Sequence, residues 1–244
     1  MRMVFVVVAT AATLFCFAGP QAKALTVPFV GCPADGQMGP VPPPEGPPKI
    51  VNLRGVPTGE IAYYTGEGGP GVFAPRGWHC RVWYGSAGTT LVVTAGSIDA
   101  AFPAPKLHEH AVEFSLSYGG TSGRFSVAIH ASRLFPKLAA TYIERVKNEG
   151  LVPASEFERG PYTNDSVRYL ARGVAAFATP GDTNGLGTEG MLAPDRDPIR
   201  GMVILHTSGD WDLTILRVRL GAEMRQVEAS IMQLNEQCMK GGGC

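Results

Sequence analysis

Between Trp78 and His130 short runs rich in Val, Thr, Phe and Tyr alternate with turn residues. His79 to Tyr84, Thr89 to Thr94, Ala111 to Tyr118 and Arg124 to His130 are predicted strands. Gly85-Ser86-Ala87-Gly88 and Gly119-Gly120-Thr121-Ser122-Gly123 are the predicted hairpin turns between them. In the third run Val112, Phe114, Leu116 and Tyr118 alternate with Glu113, Ser115 and Ser117, which predicts one face in the core and the other in water. From residue 133 the period lengthens. Leu134, Leu138, Tyr142, Ile143 and Val146 fall on one side of a helix over 133–149, with Pro136 in its first turn and Gly150 at its cap. A strand from Val167 to Phe177 follows, then a Gly-rich loop over 179–190. Met202 to His206 and Leu213 to Leu220 predict a hairpin turned at Ser208-Gly209-Asp210. The last element is a helix from Ala222 to Met239, whose Met224, Val227, Ile231, Leu234 and Cys238 make one apolar stripe.

These elements describe an α+β fold: a mostly antiparallel sheet with two amphipathic helices packed on one of its faces. A Gly/Pro-rich arm over 25–77 precedes it, because 22 of the chain's 51 Gly and Pro residues lie between 28 and 77. Such a segment cannot be regular helix or continuous sheet. Pro40 to Pro48 reads as extended, polyproline-like chain, and Ile50 to Leu53 and Ile61 to Tyr64 as short strands. Residues 78–244 are then the α+β domain, with no repeat or linker to divide it.

Residues 1–24 read as a secretory signal peptide: Arg2, an uncharged apolar run from Val4 to Ala18, a Gly19-Pro20 break, and Ala22-Lys23-Ala24 before a cleavage site at Leu25. The run is short for a membrane span, and no later stretch approaches the ~20 apolar residues that a helical span needs. Cleavage removes Cys16 and leaves Cys32, Cys80, Cys238 and Cys244, an even set in an oxidising compartment, which predicts two disulfides. Three pairings are open. Nearness in sequence and the flexible Gly241-Gly242-Gly243 favour Cys32 with Cys80 and Cys238 with Cys244. None of the spacings is that of a zinc ribbon or a redox C-x-x-C.

Composition and charge narrow the function classes. With 244 residues, 21 basic against 21 acidic side chains and 45% hydrophobic residues, the chain can build a core and offers no basic surface for nucleic acid. No G-x-S-x-G string is present, and Ser86 and Ser122 sit in predicted hairpin turns, so a serine nucleophile is not indicated. His108-Glu109-His110 is the best metal candidate. Alternate strand positions put both imidazoles on one side, where Zn²⁺ could take a third ligand from His130, His79 or His206; a metal-assisted hydrolase is thus the enzymatic alternative. The neighbouring Pro103, Pro105 and Lys106 argue instead for an exposed loop with solvated histidines. Asp182-Thr183-Asn184-Gly185 and Glu189 gather hard oxygens without the spacing of a calcium loop, and Asp195-Arg196-Asp197 reads as a solvated turn. Arg76, Trp78 and Tyr84 would make an aromatic and basic patch suited to a glycan or peptide, unless Trp78 is core and Arg76 only a turn residue.

The string Gly69-Pro70-Gly71-Val72-Phe73-Ala74-Pro75-Arg76-Gly77-Trp78-His79-Cys80, followed by Tyr84-Gly85-Ser86, resembles a group of exported bacterial proteins without an assigned activity. The segments 119–128, 160–169 and 185–190 are similar to stretches of the same group. The resemblance implies a bacterial, exported origin and transfers neither catalytic residues nor a fold. The expectation is therefore a periplasmic or secreted protein without a transmembrane segment after signal cleavage. It would bind or support the envelope rather than act as an enzyme, with no cofactor and an envelope glycan or peptide as partner.

Overall fold

The computed structural model describes residues 25–51, 58–67, 69, 71–98 and 106–241. The expected signal peptide, Cys16, part of the Ile50 to Leu53 run and Cys244 lie outside these residues. Four short strands come first: β1 (Leu25–Val27), β2 (Phe29–Gly31), β3 (Ala34–Gly36) and β4 (Lys49–Val51). They are followed by β5 (Ile61–Thr65), β6 (Val72–Pro75), β7 (His79–Gly85), β8 (Gly88–Thr94) and β9 (Ala111–Ser117). Two helices, α1 (Arg124–Leu134) and α2 (Ala140–Lys147), lead to β10 (Ser166–Ala171), β11 (Val174–Thr179), β12 (Ile199–Leu205), β13 (Leu213–Arg219) and a last helix, α3 (Arg225–Lys240).

Eight strands form one sheet in the order β10-β11-β12-β13-β9-β8-β7-β3, antiparallel except where β3 joins β7. The β7–β8 hairpin turns at Ser86-Ala87, and the β12–β13 hairpin turns through Gly209, whose φ of +78° suits glycine. The segments before β7 are built into the fold. β2 runs parallel to β5, β5 pairs with β6, and Ile61, Ala62, Tyr64, Val72 and Ala74 are all fully buried. A disulfide joins Cys32 to Cys80, with the Cα atoms 5.4 Å apart. On loop-closure entropy it contributes about 4 kcal/mol. Cys238 is also disulfide-bonded.

Apolar clusters lie on both faces of the sheet. On the first, Val82, Leu91, Val93, Val112, Phe114, Leu216 and Val218 meet β5, β6 and the Val227, Ile231 and Leu234 stripe of α3. On the second, Ala111, Phe177, Val203, Leu213 and Ile215 meet Val127, Ala131 and Leu134 of α1 and Tyr142, Ile143 and Val146 of α2. The expectation of two helices on one face is therefore corrected to three helices on two. β13 is buried at every position, so its apolar residues serve both sides.

Three local expectations are also corrected. Arg124 to His130 is helix, since Val127, Ala128, Ala131 and Leu134 follow the 3.6 period while Phe125, Val127 and Ile129 only imitate strand alternation. The Gly119 to Gly123 segment consequently joins a strand to a helix and is no hairpin. The single helix over 133–149 is two. Phe135 precedes Pro136 and leaves helical geometry (φ −131°, ψ 42°), as pre-proline sterics require. The run Val167 to Phe177 is a hairpin, β10 with β11, folded at Gly173 (φ +73°). The polar face of β9 is not wet either: Glu113 is 1% exposed and lies opposite Arg217, 2% exposed, in the β9–β13 register.

Candidate functional site

The expected metal pair is divided between two partners. His108 Nδ1 lies 3.6 Å from Asp195 Oδ2, and His110 Nε2 lies 3.1 Å from Asp197 Oδ2. The supposed solvated turn thus supplies one carboxylate to each imidazole. Among the other histidines, His206 Nε2 is 3.0 Å from Thr214 Oγ1, His130 faces Glu189 from α1, and His79 is exposed at the start of β7. Among the described residues no three His, Cys, Asp or Glu side chains converge in a way that could hold a metal. The calcium-like string is dispersed as well, because Asp182 is exposed while Glu189 turns to His130.

Arg76 is an exposed turn residue whose N–H bonds to Glu60 O. Trp78 donates its backbone N–H to Tyr64 Oη at 3.1 Å and packs its half-buried ring on the core. Tyr84 stands six positions further along, about 20 Å at strand rise, and its hydroxyl donates to Gly39 O at 2.7 Å. Trp78 and Tyr84 therefore flank opposite ends of β7 and do not share a patch.

Tyr84 instead belongs to a cavity of about 680 Å³ at the turn end of the β7–β8 hairpin. Register explains why space exists there. Gly85, Gly88 and Ser117 lie in one row across β7, β8 and β9, and Trp83, Thr90 and Ser115 lie in the next row on the same face. Two glycines and one serine leave the first row low beside a large indole. Gly88 cannot be replaced freely: its φ is +153° and a Cβ would stand 2.0 Å from Leu116 O. The rim is closed by hydrogen bonds between loops. Ser86 donates its N–H to Gln37 Oε1 at 2.9 Å, Gln37 Nε2 donates to Ser86 Oγ at 3.3 Å, and Ser86 Oγ meets Ser122 Oγ at 3.4 Å.

Trp83, overlooked between the more conspicuous Trp78 and Tyr84, is the decisive residue of this cavity. It is 7% exposed, and among the described residues its indole N–H has no hydrogen-bond partner. A buried donor left unpaired costs about 1–3 kcal/mol; the nitrogen itself is enclosed by protein, so Trp83 borders the cavity through its other atoms. Among the described residues Asp35 is the one ionisable carboxylate on the lining, and one of its oxygens already accepts the Gly36 N–H at 2.8 Å. The cavity thus favours an uncharged ligand over an anion.

A chain of side chains leads away from it: Ser117 Oγ to Ser126 Oγ at 3.3 Å, Ser126 Oγ to His130 Nδ1 at 3.4 Å, and His130 Nε2 to Glu189 Oε2 at 2.9 Å. The order resembles a serine hydrolase triad, but the protons are wrong. His130 Nδ1 points at the Ser126 carbonyl at 2.7 Å; a carbonyl only accepts, so this nitrogen carries hydrogen and offers no lone pair to a serine. The network is a fastening. Burial pushes the Glu189 carboxyl up, but the His130 hydrogen bond and the charges of His130, Arg217 and Arg133 hold it below the usual carboxylate range. Beside it Lys106 donates to Thr188 O and Gly190 O, and Glu113 accepts from Arg217 Nη1 and Met191 N, both at 2.7 Å. Together these contacts pin the Gly-rich loop to the sheet. Arg219, fully buried, holds the neighbouring segments through the carbonyls of Leu107, Glu109 and Ala193.

No protein-family model matches the chain, and no curated protein and no solved structure matches it.

Proposed function

We propose that this is an exported bacterial protein that binds an uncharged envelope glycan in the cavity beside Trp83 and performs no chemistry on it. The single observation that carries the reading is the cavity itself, bordered by Trp83 and lined by Thr90, Ser115, Ser117 and two glycines. A sugar presents ring and hydroxyl oxygens as acceptors and apolar C–H faces for an indole, which suits this lining. Export is supported by the N-terminal pattern of residues 1–24 and by the Cys32–Cys80 disulfide, which an oxidising compartment preserves. Among the described residues no helix is long and apolar enough to cross a membrane. The enzymatic alternative at His108 and His110 finds no convergent ligand set among the described residues to work with.

The test is calorimetric titration with muropeptides, N-acetylglucosamine oligomers and unrelated peptides, comparing the native protein with Trp83→Phe. The variant keeps an aromatic ring but a smaller one, which removes part of the wall beside the cavity. At least tenfold weaker glycan binding with unchanged circular dichroism is expected, a loss of about 1.4 kcal/mol. Binding of peptides alone, equal affinity in the variant, or turnover of the glycan would each overturn the proposal.

A further inference from the structure

A second cavity, of about 540 Å³, lies on the other flank of the segment that joins β9 to α1: Ser117 and Ser122 line the first, Gly119 and Gly120 the second. Its centre is an aromatic stack. The Trp211 and Tyr142 rings are nearly parallel, 13° apart with centroids at 5.2 Å, and the Arg145 guanidinium lies 5.0 Å from the Tyr142 ring. At the rim Arg124 grips Glu149 with Nε at 2.9 Å and Nη2 at 2.7 Å from the same oxygen, and Asp210 and Thr141 complete the polar lining.

The backbone holds Trp211 in place at some cost. Its φ is +66°, a left-handed conformation that bulky residues avoid. The surrounding structure enforces it. Asp212 Oδ1 accepts the Gly119 N–H at 2.9 Å, His206 donates its N–H to Asp212 O at 2.8 Å, and a Cβ on Gly119 would stand 2.0 Å from Asp210 O. An asparagine or glycine would satisfy this turn without strain, so turn formation alone does not account for an indole here. Burial accounts for it only in part: Trp211 is half-buried, packs on the second apolar cluster through its stack on Tyr142, and also lines the cavity.

We infer that this cavity is a saccharide-binding site, in which a pyranose ring lies against Trp211 and its hydroxyls bridge Asp210, Arg145 and the Arg124–Glu149 pair. The chemistry separates ligand classes. A phosphate would meet the carboxylates of Asp210 and Glu149 on the wall, and Arg124 is already committed to Glu149. A sugar uses both sides of the lining, its C–H face on the ring and its hydroxyls shared between carboxylates and guanidiniums. The site is separate from the cavity at Trp83 and does not require that cavity to be filled.

The chain has three tryptophans, so the indole N–H resonances of protein labelled with ¹⁵N-tryptophan report the two cavities separately. Titration with tetra-N-acetylchitotetraose and with cellotetraose, and in a separate arm with inorganic phosphate, is expected to move the Trp211 signal with saccharide and leave it in place with phosphate. Trp211→Asn, which suits the turn, removes the reporting indole, so its binding is read by calorimetry, where saccharide affinity at this site should weaken at least tenfold while relief of the turn strain offsets part of the lost Tyr142 stack. Arg145→Gln, on the exposed side of α2, should weaken that affinity severalfold and serves if the first variant does not fold. A saccharide response confined to Trp83 would support the first cavity and overturn this site. So would a Trp211 signal that moves only with phosphate, no Trp211 response to either saccharide, or undiminished binding in both variants.

Discussion

The two faces of the large sheet are closed by different physics. On the face under α3 the contacts are largely apolar, with one ion pair, the half-exposed Arg200 of β12 with Glu228 of α3 at 2.7 Å, and a neutral contact: Asn235 of α3 donates Nδ2 to Phe73 O and accepts the Phe73 N–H, both at 2.8 Å, standing in for a strand beside β6. On the face under α1 and α2 the sheet presents Glu113 and Arg217, and loops are fastened to it by ions and carbonyls. The first arrangement welds β5, β6 and α3 to the sheet by non-directional burial. The second is directional, and directionality is what sets loops at fixed heights and leaves cavities between them. Both candidate ligand cavities border the segment between β9 and α1, and the tuned carboxyl of Glu189 and the buried ion pair lie on the same helix-α1 face.

The sharpest way to break that contrast is to remove one buried ion. Arg217→Met should destabilise the protein by about 3–5 kcal/mol, since Glu113 would be left charged in the interior and Leu186 O would lose a donor. Chemical denaturation measures it. If the double variant Glu113→Leu with Arg217→Met recovers much of the stability, the pair serves geometry more than energy. Equal instability of single and double variants would place its value in the contacts themselves. Asn235→Leu probes the opposite face. It keeps a similar volume but strips both partners from Phe73 inside the core, and a loss of about 2–3 kcal/mol is expected in the same assay.

The contrast between faces was only half legible in the sequence. β7, β8, β9, β12, β13 and α3 follow from local periodicity, because each carries its own apolar repeat and its turns carry glycine. α1 escaped because its helical contacts rest largely on Ala128 and Ala131, whose small side chains weigh little beside the alternating Phe125, Val127 and Ile129. The β10–β11 turn escaped because Arg172-Gly173 lacks a strong hairpin signature. Glu113 looked like a solvent position since its partner is 104 residues away, and charge cancellation across a sheet shows only when register is known. The same holds for the cavity: Gly85, Gly88 and Ser117 are unremarkable singly and make a depression only as a row. Trp83 was hidden by its conspicuous neighbours, while His108 and His110 drew attention because sequence shows imidazoles and not the carboxylates that occupy them.

Acid should separate the two faces with the smallest of these effects. The Glu189 carboxyl sits below its ordinary range in the folded protein, so its ion-paired form contributes stability that is fully present above the unfolded carboxyl value. That contribution disappears as the pH falls through the lower, folded value. His130, Arg133 and Arg217 are the charges that hold it there, with Lys106 nearby. Glu189→Gln should therefore cost about 1 kcal/mol at neutral pH, a modest figure because the carboxylate is 30% exposed, and progressively less on acidification. The Asn235 contact contains no titrating group, so the deficit of Asn235→Leu should stay constant over the same range. Thermal melts of both variants against the native protein from about pH 6 down to about pH 2 read the two slopes side by side. Parallel loss in both variants would mean that the faces are not electrostatically distinct, whereas a shrinking gap for Glu189→Gln alone would assign the acid sensitivity to the side that frames the cavities.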